Sequence, residues 1–374
     1  MPHPLPTRRA LLAGATAALV VRPELSMAAP APRKNWSQDP VRLFFNENRY
    51  GPCEGALRVM RESLHLSSRY ASQDRVDALK RLIAEQEGLT PEHVLLTAGA
   101  FEALVLIANE FASGGGGVIC PDPSFPIVAT YAERAGGKVQ RVPLDATMTH
   151  DLDALAARVD AGTKLVSVCN PNNPTGTIVD SGRLRAFCEA VAPRATVLVD
   201  EVYLQYLEPA PGLSMVDQVR AGKDVIITRS FSKIHGLAGM RVGYALAQPA
   251  LVKKLSERQM TLPNALSIEA ALASLQDKAF VPRIRKLITD ARRITTKALD
   301  TVGMKYVPGH ANFVWMPLPP ELLDLPVRFA PHGFHLTTQP TVPIAAEAAR
   351  LRLTVGTVEE MTAFAALLRS MLGR

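Results

Sequence analysis

The stretch 225-VIITRSFSKIHGLAGMRVGY-244 changes character in its middle. Residues 225–228 are apolar and β-branched, as in a strand buried on both faces. That run stops before Ser230. Polar residues follow closely: Ser230, Ser232, Lys233 and, eight positions on, Arg241. Lys233 has no acidic residue within one helical turn on either side, and its neighbours are small or apolar.

The same form recurs upstream. Short apolar runs at 94–97, 118–120, 165–169 and 197–199 each end at residues able to do chemistry. Thr97-Ala98-Gly99-Ala100 follows the first, and Pro123-Ser124-Phe125 comes just after the second. The third ends at 170-NPNNPTG-176, the fourth at Asp200-Glu201-Val202-Tyr203. Helix-period segments at 74–86, 101–111, 127–135, 152–157 and 184–191 lie between or beside these runs. Strand–helix alternation predicts an α/β fold, a mostly parallel sheet between helices with right-handed crossovers. In such sheets ligands bind beyond the carboxyl ends of the strands.

Beyond residue 262 the pattern changes. A long helical region at 267–299 is followed by short strands at 304–306, 312–316, 334–337 and 351–355, then a last helix at 359–372. This reads as a smaller α+β unit. The expected organisation is therefore 1–34 as leader and linker, 35–60 as a segment joining the smaller unit, 61–262 as the large domain and 263–374 as the small one.

Composition is that of a globular protein: 374 residues, 47% hydrophobic, 21% charged, net charge +7. No Lys/Arg run with interleaved aromatics points to nucleic acid. Cys53, Cys120, Cys169 and Cys188 are far apart, which predicts small buried hydrophobes and no metal site. The quartet Gly114–Gly117 lacks a following Lys-Ser/Thr and precedes a strand, so it reads as a loop. The first residues run charged (Thr7-Arg8-Arg9), apolar (10–21), small (26–31), the order of an export signal. The apolar run is too short to span a membrane, and the paired arginines resemble a twin-arginine signal, which implies the periplasm.

At the strand ends the residues form a chemical set. Lys233 among apolar groups is an amine of lowered proton affinity, or a lysine reaching solvent. Asp200 suits a protonated pyridine nitrogen, or caps the next helix. Ser230, Arg241 and the backbone N–H groups opening the helix at Ala100 suit a phosphate. Phe125 offers a flat face, or fills core. An amine, a pyridinium partner, a phosphate cup and a stacking face together fit pyridoxal phosphate.

NENRYGP, TAGAFEAL, PDPSFP, NPNNPTG, DEVY, SFSKIHGLAGMRVGY, ANF and LRLTVGT, in this order, resemble the fold-type-I aminotransferases, and within them the histidinol-phosphate aminotransferase branch. The resemblance spans about 41–370. It implies a seven-stranded large-domain sheet, with Lys233 as the attachment amine and proton carrier. Asp200 would hold the pyridine nitrogen protonated. Asn173 and Tyr203 would serve the ring oxygen, and Phe125 would stack on the ring. Ser230, Ser232, Arg241 and the Ala100 and Phe101 backbones would hold the phosphate. Arg352 would bind the substrate carboxylate, while Asn48 and Tyr50 would line the entrance. Tyr70 would reach the phosphate site of a neighbouring subunit, which implies a homodimer. The implied reaction moves an amino group between an amino acid and a 2-oxo acid; decarboxylation or C–S lysis on the same scaffold is the alternative.

The chain departs from that branch at two points. Thr337 stands where a second arginine usually ends the strand, and Phe101 where a polar residue usually follows Gly-Ala. Both argue for a substrate other than histidinol phosphate, with His335 and Gln339 as candidates for shaping specificity.

Overall fold

The computed structural model describes residues 40–339 and 349–373. The expected export signal lies outside them. Val41–Arg374 forms one compact unit. The chain enters through a two-residue strand, β1 (Val41–Arg42), and helices α1 (Glu54–Glu62) and α2 (Gln73–Glu87). Then comes the alternation: β2 (Val94–Thr97), α3 (Ala100–Ala112), β3 (Gly117–Asp122), α4 (Ile127–Arg134), β4 (Lys138–Pro143), α5 (Leu152–Ala157) and β5 (Thr163–Cys169). It continues with α6 (Ser181–Val191), β6 (Thr196–Asp200), α7 (Val216–Arg220), β7 (Val225–Ser230), β8 (Gly243–Leu246) and α8 (Pro249–Ser256).

These strands form a seven-stranded sheet in the order β2-β8-β7-β6-β5-β3-β4. Neighbours from β7 through β4 pair in parallel, and β8 runs antiparallel to both β7 and β2. The two-residue period of a strand explains why the sheet is buried on both faces. Leu165, Leu198 and Ile226 point into one core, with Leu104 and Ile107 of α3. Val166, Val197, Val199 and Ile227 point into the other. Alternation along the sequence therefore hides apolar side chains on each side, and Asp200 and Ser230 stand at strand ends.

The remaining chain forms α9 (Ala265–Gln276), α10 (Phe280–Thr301), β9 (Phe313–Pro317), α11 (Leu325–Phe329), β10 (Phe334–His335), β11 (Thr338–Gln339), β12 (Arg350–Thr354) and α12 (Val358–Met371). β11, β12 and β9 make a three-stranded antiparallel sheet, and β1 pairs in parallel with β10. In α10, Ile284, Ile288, Ala291, Thr295 and Ala298 are buried at helical spacing.

Four expectations need correction. The helical region over 267–299 is two helices, because Asp277 Oδ1 accepts from the backbone N–H of Ala279 and Phe280 and turns the chain. Residues 304–306 form no strand; only Val307 bridges, to Trp315. The strand expected over 334–337 stops at His335, and pairing resumes with β12 at Thr338. β8, too short and Gly-led to announce itself, was not expected as a strand. The four cysteines are buried and free, as read from the sequence. Among the described residues no helix is long and apolar enough to cross a membrane.

Candidate active site

The carboxyl ends of β5, β6 and β7 and the start of α3 surround a cavity of about 370 Å³. At one end is an anion cup. Helix α3 starts at Gly99, which brings no capping side chain, so its first N–H groups, at Ala100 and Phe101, face outward uncapped. Arg241 lies across this turn. Its Nη1 donates to Ser232 Oγ (3.3 Å) and Ala238 O (3.0 Å), and its Nη2 to Ala98 O (3.4 Å). Two glycines make room for the arrangement. A Cβ on Gly99, at φ +84°, would stand 2.6 Å from Arg241 Nη2, and one on Gly243 would stand 2.4 Å from the Ala100 nitrogen. Ser230 and Ser232, both buried, add hydroxyls. Helix N–H groups, hydroxyls and a guanidinium converging on one point are a phosphate's complement.

At the cavity floor Asp200 is buried at the end of β6. Its Oδ1 accepts from Thr228 Oγ1 (2.8 Å) and from the Val202 N–H (3.3 Å). Burial pushes its carboxyl up to about 6, against these hydrogen bonds. A cation placed against Oδ2 would restore the ionised form. Phe125 lines the same cavity, and the loop carrying it is tied to the NPNNPTG loop by a Ser124 Oγ to Asn172 Oδ1 bond of 2.8 Å. Tyr203 is buried with its ring edge-on to Phe313, centroids 5.2 Å apart.

Lys233 reaches into the cavity between these groups. Its Nζ donates to Phe45 O (3.1 Å) and stands 5.9 Å from the Tyr203 ring centre. Burial, then the charge of Arg352, lowers its pKa to about 8. A useful fraction of the amine is thus unprotonated near neutrality.

Arg352, on β12, brings the other sheet to the site. Its Nη1 donates to Asn173 Oδ1 and its Nη2 to Phe44 O, both at 2.6 Å. Its Nε is buried without a partner. No ion pair among the described residues includes Arg352. A half-buried cation with no counter-ion among the described residues is poised for a carboxylate from outside.

Three residues expected at the site are placed elsewhere. Asn48 is buried with its amide on Ile234 O (2.8 Å) and its Oδ1 accepting the Tyr50 N–H (3.1 Å). The Tyr50 phenol accepts from the Val358 N–H (2.9 Å). Neither lines the cavity; both fasten the entering chain. Tyr70, expected at a neighbour's site rather than its own, is fully exposed. His335 is exposed and lies beside Arg42 in the β1–β10 pair.

Sequence reasoning also missed residues that matter. Phe45, Asn46 and Glu47 line the cavity. Asn46 sits in the left-handed region, at φ 56°, and its Nδ2 donates to the Tyr203 phenol oxygen (2.9 Å). On the far face of the sheet Arg229 Nη2 and Nε hold Glu201 Oε2 at 2.6 and 2.9 Å. Met215 N–H and Ser214 Oγ complete the Glu201 carboxylate. The signal was present: in DE and RS, strand alternation sends Asp200 and Ser230 to the cavity and their neighbours to the opposite face.

The residues present fit pyridoxal phosphate: the cup would take the phosphate, Asp200 would face the pyridine nitrogen, and Lys233 would reach the aldehyde carbon. A site of this kind defines a protein that attaches the cofactor through a lysine. The sequence pattern of the family described as aminotransferase class I and II matches residues 38–368, and the chain belongs to that family. It is 33% identical over 337 residues to the histidinol-phosphate aminotransferase of Moorella thermoacetica, covering 90% of this chain and 86% of that one. It is 31% identical over 364 residues to the aromatic amino acid aminotransferase of Mycobacterium sp. (strain KMS), covering 95% and 99%. The crystal structure of histidinol-phosphate aminotransferase from Sinorhizobium meliloti in complex with pyridoxal-5'-phosphate superposes with a TM-score of 0.80 at 24% identity, covering 89% and 92%, which shows the shared fold. The chain is therefore a fold-type-I enzyme, a pyridoxal-phosphate-dependent aminotransferase that moves an amino group between an amino acid and a 2-oxo acid.

Proposed function

We propose that the amino donor is an α-amino acid with an uncharged side chain rather than histidinol phosphate. The half-buried guanidinium of Arg352, without a counter-ion among the described residues, carries this reading: it takes the donor's carboxylate. Bound pyridoxal phosphate supplies the electron sink for charge developing at the donor's α-carbon. The chain's own residues do the rest. Arg352 and Asn173 hold the donor so that its α-hydrogen lies near Lys233 Nζ, and the lysine amine accepts and returns that proton. Asp200 keeps a cationic ring nitrogen paired in a dry floor, and Tyr203 offers its phenol to the ring oxygen. The side-chain end of the cavity supports an uncharged donor. Phe45 lines the cavity with about half its surface open, and the nearby carboxylate, Glu47, is bridged to Arg42 at 3.3 Å. A distal phosphate would meet Glu47 and, with Thr337 in place of an arginine, no added cation from that position.

A panel of donors scored by loss of the bound cofactor's absorption band tests this. Neutral apolar and aromatic amino acids are expected to react fastest; histidinol phosphate as the best donor would overturn it. Arg352→Ala is expected to raise the donor KM by about 10- to 100-fold, since hydrogen bonds to charged groups contribute about 1.5–3 kcal/mol. An unchanged KM removes the carboxylate role.

Two further readings go with this function. The leader, with Thr7-Arg8-Arg9 before the apolar run 10–21, supports export to the periplasm by a twin-arginine route. Changing Arg8 and Arg9 together to lysine should then retain the enzyme in the cytoplasm, and unaltered export would refute it. The full exposure of Tyr70, an aromatic residue, supports a homodimer in which it reaches the neighbour's phosphate cup. Sedimentation of the purified enzyme at monomer mass would exclude that assembly.

A further inference from the structure

Asn46 has four hydrogen bonds, each with a direction. Its N–H donates to Thr354 Oγ1 (2.9 Å), and Thr354 Oγ1 donates to Asn46 Oδ1 (3.1 Å). Its carbonyl accepts from Asn312 Nδ2 (3.1 Å). Its own Nδ2 donates to the Tyr203 phenol oxygen (2.9 Å). The residue is 1% exposed and holds a backbone conformation, φ 56°, that Asn tolerates better than most side chains. A turn residue would need none of the side-chain bonds.

The directions propagate. With Thr354 Oγ1 donating to Oδ1, the NH2 end of the amide faces Tyr203. The phenol oxygen then receives a proton from one side and must give its own on another. No protein acceptor for that proton appears among the described hydrogen bonds, and the phenol lines the cavity. Burial raises the phenol's proton affinity well above the ordinary value, so it keeps the proton it has to give.

We infer that Asn46 is a positioning residue, oriented by Thr354, that fixes the Tyr203 phenol as a donor pointing into the cavity, toward the cofactor's ring oxygen. It acts through Tyr203 and touches no reacting atom. Because Thr354 lies two residues from Arg352 on β12, the same strand that anchors the donor's carboxylate also sets the direction of this proton. The inference rests on the aminotransferase reading of the cavity.

The test uses the full-length, cofactor-loaded enzyme and reads the pH midpoint of the bound cofactor's absorption band, without turnover. In Asn46→Asp the new carboxylate accepts the phenol proton. The ring oxygen loses its donor and becomes more basic, and the midpoint rises by about one pH unit, the equivalent of one hydrogen bond. A Tyr203→Phe background separates this from the bare charge of the new carboxylate. There the Asn46→Asp shift should fall to less than half, because the two residues act as one unit. Lys233, Arg352, Asp200 and Cys169, the titratable groups around the phenol, are the same in both backgrounds. If Asn46→Asp does not fold, Thr354→Val removes the hydroxyl that orients the amide. It should give a smaller rise that again requires Tyr203. An equal shift in both backgrounds, or no shift in either single variant, overturns the inference. Absence of the cofactor band from the unmodified enzyme would instead remove the reading beneath it.

Discussion

Lys233→Ala lowers transamination by about 10⁴-fold, the upper range for loss of a positioned acid–base group, while cofactor still binds non-covalently. The expectation follows from geometry. Lys233 is the one lysine among the described residues lining the cavity, and its amine lies between the Tyr203 ring and the carbonyl of Phe45, with Arg352 near enough to lower its proton affinity. The anion cup does not use the lysine, so phosphate binding survives the substitution. Appreciable transamination by the variant would sink the assignment. The unmodified enzyme carries a companion test. Only the unprotonated amine attacks an aldehyde, so the rate of cofactor attachment rises with pH through the pKa of the free lysine. That midpoint should fall near 8 rather than at the usual 10.5. Rapid mixing of cofactor-free enzyme with pyridoxal phosphate across pH gives it; a rate still climbing steeply at pH 10 contradicts a desolvated amine.

Glu201→Ala costs about 3–5 kcal/mol of folding stability, because it leaves the Arg229 guanidinium buried without its counter-charge. Glu201 is 1% exposed, and its carboxylate carries Arg229, Ser214 and the Met215 N–H. Glu87, 3.4 Å from Arg229 Nη1, offsets part of the loss and places the result at the lower end. With total stabilities of about 5–15 kcal/mol, a loss of this size is readily measured. A urea-denaturation midpoint that moves by less than the equivalent of 1 kcal/mol would show that the pair is dispensable. The pair joins the ends of β6 and β7 from behind, so partial loss should also loosen Asp200 and Ser230 on the cavity side.

The fold was legible because its signals are local. Apolar runs such as 165–169 and 225–228 end at polar residues, and the helices between them have their own period. The site residues at those ends, Asp200, Asn173, Lys233 and Arg241, could be placed for the same reason: a strand end has a fixed position in a parallel sheet. The parts that escaped depend on tertiary contacts. Asn46 looks like one more loop residue until Tyr203, 157 positions later, is brought against it. Asn48 and Tyr50 lie in the same stretch, but the chain's path turns them onto Ile234 and Val358 and away from the cavity. The break at Asp277 and the strand β8 were hidden because a side-chain-to-backbone turn and a Gly-led strand of four residues leave little periodic trace.

The carbonyls of residues 44 and 45 have a consequence for how the enzyme comes into being. They meet Lys233 across 188 positions of sequence and Arg352 across 308. Contacts of such span are late to form, since the entropy of closing a long loop must be offset first. During synthesis the wall built by residues 44 and 45 waits for β12, made some 308 positions later. The seven-stranded sheet can gather earlier from contacts of shorter range, but a closed cavity cannot. Firm retention of cofactor thus becomes a signature of a chain made through β12, and truncation ahead of β12 should yield a sheet that folds yet leaks its cofactor.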